Sequence, residues 1–153
     1  MKNIKILLAT AIIAAFTLTS CNKDDNNTPA VPAVLEAKWT PTKTIVKTGS
    51  GAPTTENYTG NEVGCDKDYI QFVNGGTVKD VVFNKNAADQ CGLVENTTPS
   101  VYTKNSTTLV VVGGDLDGTY KINSLTNSEL VIEKSVTVNT ITTIYTFYYT
   151  KVV

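Results

Sequence analysis

The hydrophobic pattern of the chain changes character once, near Leu35. Before that point lies a single uncharged run, Ile6 to Leu18, preceded by Lys2 and Lys5 and followed by small residues that lead into Cys21. Thirteen residues are too few for a bilayer-spanning helix, which takes about 20. A positive start, an apolar middle and a small-residue end predict instead a cleaved secretory signal over 1–20. Residues 21–34 are polar, aperiodic and carry Pro29 and Pro32, which predicts a semi-extended tether. From Leu35 onward Thr, Val, Ile and Tyr recur in short runs broken by Gly, Asn and Asp, the vocabulary of strands and turns.

These runs predict about eight strands, over 38–47, 68–73, 77–83, 100–104, 107–112, 118–124, 129–138 and 140–152. Asn74-Gly75-Gly76 is a strong hairpin signal, because glycine readily supplies the positive φ that a tight turn needs. Gly113-Gly114-Asp115, Asn127 and Asn139 mark further turns. The polar stretches 48–66 and 84–99 predict loops, the first with room for a turn of helix. Short connections make neighbours antiparallel, so the class is all-β, an antiparallel up-and-down meander. Such a meander closes into a small barrel or stacks as a two-sheet sandwich, and closure leaves no mark on a sequence.

The last strand has one heavier face. Ile141, Thr143, Tyr145, Phe147, Tyr149 and Lys151 alternate with Thr142, Ile144, Thr146, Tyr148 and Thr150, and only one set can look inward. Tyr145, Phe147 and Tyr149 carry the aromatic bulk, which gains most from burial. They are the predicted interior, together with Trp39, the only tryptophan.

Composition narrows the chemistry. All 13 basic residues are lysine, and there is no histidine. Histidine-based metal sites, Ser-His-Asp catalysis and arginine clamps are therefore excluded. Without Lys2 and Lys5, 11 lysines face 14 acids, a formal charge of −3 that disfavours nucleic acid as a partner. Asp115-Leu116-Asp117-Gly118 reads as turn chemistry rather than a calcium loop, since position twelve from Asp115 is Thr126. The charges of Cys65-Asp66-Lys67-Asp68 read as solvated residues at a strand entry. No metal, no cofactor and no enzymatic activity are expected. Cys65 and Cys91 form an even pair in an exported domain and read as a disulfide, worth about 3.5 kcal/mol of loop-closure entropy. The rival, a pair of metal thiolates, would need two further ligands that no histidine or cysteine remains to supply.

Leu18-Thr19-Ser20-Cys21 resembles the bacterial lipobox, which implies lipidation of Cys21 and removal of residues 1–20. Two or more acyl chains, at roughly 0.8 kcal/mol per buried methylene, make such an anchor firm. The run Asn22-Lys23-Asp24-Asp25-Asn26-Asn27 resembles the export signal of surface lipoproteins in bacteria of the Bacteroidetes type. That implies an outer-membrane, cell-surface location. Over 35–153 the order of motifs is similar to the lipocalin-like domain of small Bacteroidetes lipoproteins: Ala37-Lys38-Trp39, a cysteine before Asp-Tyr-Ile-Gln-Phe and Asn-Gly-Gly, a second cysteine, and a Thr/Tyr-rich closing strand. Ala37 stands where the lipocalin signature has glycine. The resemblance implies a barrel with Trp39 at its floor. Two functions fit it: binding of a small apolar or amphipathic molecule, or an interaction module with a solid barrel that meets a protein or glycan.

Overall fold

A computed structural model describes residues 32–95 and 100–153, without the side chain of Glu95. The signal over 1–20, Cys21 and most of the tether lie outside the described residues. Ten antiparallel strands are formed, and no helix occurs among the described residues. They are β1 (Lys38–Thr48), β2 (Thr54–Asn57), β3 (Tyr69–Val73), β4 (Thr77–Lys85), β5 (Cys91–Glu95), β6 (Ser100–Asn105), β7 (Thr108–Val112), β8 (Gly118–Leu125), β9 (Glu129–Val138) and β10 (Ile141–Lys151). Eight of them, in the order β1-β3-β4-β6-β7-β8-β9-β10, return to β1 through the β10–β1 pairing. The fold is a closed barrel, not a sandwich.

Two strands sit where loops were expected. β1 pairs with β3 only at Lys38 and Trp39 and then parts from it, which leaves one edge of β1 open; Thr54–Asn57 fills that edge opposite Lys43–Val46. β4 likewise pairs with β6 only at Thr77 and Val78, and β5 covers its far half, Val81–Lys85. β2 is exposed throughout. Such a strand carries no apolar alternation, because its role is to satisfy backbone groups rather than to bury side chains. The Cys65–Cys91 disulfide, with Cα atoms 5.6 Å apart, ties the β2–β3 loop to the start of β5.

The core gathers around Trp39 and takes side chains from all eight strands of the ring. Trp39, Leu35, Phe72, Leu109, Leu130 and Ile132 are almost fully buried there, with Tyr102 edge-on to Phe72 at 5.1 Å between centroids. The indole N–H of Trp39 donates to the Leu35 carbonyl at 2.8 Å, and the Phe72 amide donates to Ala37. The Tyr102 hydroxyl donates to Glu36 at 2.9 Å. Burial first, then that carboxylate, pushes the Tyr102 hydroxyl up to about 12. Residues 35–37 thus seal the end that Trp39 floors.

Turn chemistry follows the sequence, with one strained position. Gly75 and Gly76 hold positive φ as expected. The β9–β10 hairpin turns on Asn139 (φ 48°) and Thr140 (φ 72°), so Thr140 belongs to the turn and not to the strand. A β-branched residue is poorly tolerated in that region, whereas Asn-Gly suits this two-residue turn. Thr140→Gly is therefore expected to stabilise the domain by about 1 kcal/mol, the lower end of the cost of such strain. Urea unfolding with an unchanged or lowered midpoint would contradict this.

Candidate functional site

The opening of the barrel is a consequence of the parted β1–β3 seam. Where β1 leaves β3, its register shifts between Pro41 and Lys43. The Tyr58 amide donates to the Thr42 carbonyl at 2.9 Å, which brings the β2–β3 loop across the gap. That loop is held by Asp68, which is 2% exposed. Its carboxylate accepts from the Tyr58 hydroxyl at 2.6 Å and from the Phe83 amide at 2.8 Å, while its own amide donates to Asn61. Hydrogen bonds to an ionised acceptor are the strong ones, so the gap is bridged at a fixed point. Asp68 is thus not the solvated charge that its neighbours suggested.

Beneath this bridge is a half-open cavity of about 310 Å³. Tyr149, Pro41, Ile70 and Val82 form its wall, Leu116 of the β7–β8 loop covers it, and Tyr58, Asp68, Asp80 and Asp115 supply its polar groups. A hollow of about 350 Å³ shares Asp80, Val82 and Asp115 and runs outward to Val94 of β5. Asp80 looks inward because it pairs with Ile70, a core residue, and lies two residues from Val78 and from Val82. Burial, then the charges of Asp115 and Asp68, holds its carboxyl above the usual range, while the Val81 amide works the other way.

Tyr149 is the one predicted interior residue that reaches this cavity. It is 5% exposed, and its hydroxyl makes no hydrogen bond to any described residue. Burial, followed by the nearby Tyr120, Asp80 and Tyr58, makes its ionisation harder than for a free phenol. Phe147 packs beside the core, 6.2 Å from the Tyr120 ring. Tyr145 stacks on Phe147 at 6.3 Å but is only half-buried, because β8 pairs with β9 no further than Glu133 and the hairpin runs on past it. Trp39 lies at the packed end and is fully buried, away from the cavity lining.

The turn after β7 uses Asp117 for its own geometry: the Gly113 amide donates to its carboxylate at 2.9 Å, and the Lys134 ammonium donates to its carbonyl at 2.7 Å. Asp115 is left to face the cavity. Among the described residues, no group of three acids or cysteines is placed to hold a metal ion. A larger groove of about 490 Å³ lies on the outer surface, lined by Lys38, Lys67 and Lys151 with Tyr69 and Phe83. The Lys38 ammonium sits 4.5 Å above the Tyr69 ring. Its charges are surface lysines accompanied by Asp66, so the cavity beside Tyr149, with its buried phenol, is the stronger candidate.

Asp68, Asp80 and Asp115 are the residues that sequence reasoning missed as a set. A signal existed for Asp80, a charge at the inward register between Val78 and Val82. None existed for Asp68 and Asp115, which loops bring in from distant positions. No protein-family model matches the chain, and a search of curated proteins finds no match.

The position of Asp80 predicts a pH-dependent stability difference. A carboxyl raised in the folded state costs nothing below its unfolded value, near pH 3.9, where both states are protonated. The cost grows as pH rises toward the folded value and is constant above it. Asp80→Asn is uncharged, so its melting temperature should exceed the parent's at neutral pH, with the two converging in acid. A variant less stable at neutral pH than at pH 3, relative to the parent, would contradict the assignment.

Proposed function

We propose that this protein is a lipid-anchored, surface-displayed binding protein of the lipocalin-like type. Its barrel is closed at one end and receives a small amphipathic molecule at the other. One observation carries the reading: a cavity bordered by polar groups opens beside the packed core and shares Ile70, Tyr149 and Leu116 with it. An eight-stranded barrel leaves an interior just wide enough for side chains to fill, and here part of that space stays open. The remaining 310 Å³ lies at the small end of the range of ligand pockets, about 300–1,000 Å³. Its apolar wall with a few polar groups matches the usual composition of such pockets. Lipidation at Cys21 supplies the membrane partner, on the strength of the sequence around it. A second reading, an interaction module that meets a protein or glycan through its outer face, is favoured by the lysine-lined groove outside the barrel.

The test of binding is methyl-resolved NMR of the mature protein, titrated with fatty acids, fatty amines, aliphatic alcohols and sterols. Saturable shifts are expected at Ile70, Val82 and Leu116, with Leu35 and Leu109 at the packed end unmoved. If no probe produces saturable shifts in the cavity, the interaction module becomes the better account. For the anchor, Cys21→Ala should incorporate no labelled palmitate, and label on that variant would refute lipidation there.

A further inference from the structure

Resting on the binding reading above, we propose that the cavity is specific for a small organic cation, a primary ammonium group on a short apolar or aromatic body. Three carboxylates, Asp68, Asp80 and Asp115, border the cavity, and no lysine lines it. Asp68 already spends both carboxylate oxygens on Tyr58 and Phe83. Asp80 is half-buried, borders the cavity with Asp68 and Asp115 and lies within their fields, so the site carries a like-charge repulsion of its own. A bound cation turns that repulsion into attraction, and an anionic ligand would make it worse.

The second, independent observation is the Tyr149 hydroxyl. It is 95% buried by its residue's exposure, lines the cavity and has no hydrogen-bond partner among the described residues. The ring is buried while the oxygen is reached from the cavity, since no fully buried side-chain polar atom lacks a partner among the described residues, so the hydroxyl is free to bond a group that enters there. An ammonium N–H would donate to its oxygen and to the Asp80 carboxylate. Tyr58 and Tyr149 also line the cavity, and an aromatic ring attracts a cation that reaches its face. Ile70, Val82 and Leu116 would take the apolar body. The carboxylates do not converge as metal ligands do, so the positive charge belongs on an organic group rather than a metal ion.

The test compares one hydrocarbon body with three heads: phenethylammonium, 2-phenylethanol and 3-phenylpropionate. Each is titrated by NMR into the mature protein held in zwitterionic nanodiscs, with empty discs as blank. The ammonium should bind at least tenfold more tightly than the alcohol, and the carboxylate should not bind. Asp80→Asn should bring the ammonium down to the level of the alcohol. Asp115→Asn, in an exposed loop, should reduce the preference several-fold without disturbing the fold. Equal binding of ammonium and alcohol would overturn the cation inference while leaving a binding protein intact. Tighter binding of the carboxylate, or a saturable shift with calcium chloride at the same methyl groups, would also overturn it. If none of the three heads binds while a fatty acid or sterol does, the site is a purely apolar one and the inference fails.

Discussion

The pairing of β1 with β10 is the constraint on which the rest of the structure depends. It joins nine residue pairs separated by 95 to 112 residues of chain and removes the free edges that an open meander would expose. On its other edge β1 follows β3 only briefly and is then covered by β2 from Lys43 to Val46. β1 and β3 share only Lys38 and Trp39 before they part. Everything distinctive about the molecule follows from that parting: the added strand β2, the bridging loop, the disulfide that ties the loop to β5, and the cavity beneath.

Closure also decides where the interior is solid. At the end where β1, β3 and β10 meet, Trp39 lies opposite Lys151 and Ile70, and Leu35 covers it. Substitution of a buried tryptophan by alanine generally costs about 3–5 kcal/mol, so this end cannot be hollowed without loss of the fold. The cavity is bordered by strand residues, among them Pro41, Ile70, Asp80, Val82 and Tyr149, and by the loop residues Tyr58, Asp68, Asp115 and Leu116, so carboxylates and phenols meet the open space beside apolar side chains.

Much of this architecture could be read from residues alone. The ring strands were visible because each buries one face, and the Asn74-Gly75-Gly76 turn because its backbone demands glycine. On β10 the aromatic alternation led to Tyr149, which is buried, and to Phe147, which packs beside the core, whereas Tyr145 is only half-buried and the intervening residues are no less covered. β2 and β5 were not, because the exposed Thr54–Asn57 serves only the backbone and the exposed Leu93 and Val94 of β5 resemble a loop. Closure was hidden because a seam between the first and last strands is a contact without a local signature. The cavity was hidden for the same reason, since Asp68, Asp80 and Asp115 come to border one space only after the ring has formed.

The claim that the ring is closed by β1 and β10 is tested most directly by amide hydrogen exchange along β10. Alternate amides of that strand face β9 and β1, so a closed barrel protects both sets. From Thr143 to Tyr149 every amide is then expected to exchange at the slow rate set by global unfolding. If every second amide exchanged quickly while its neighbours stayed protected, β10 would be a free edge. The barrel and the cavity argued from it would then be wrong.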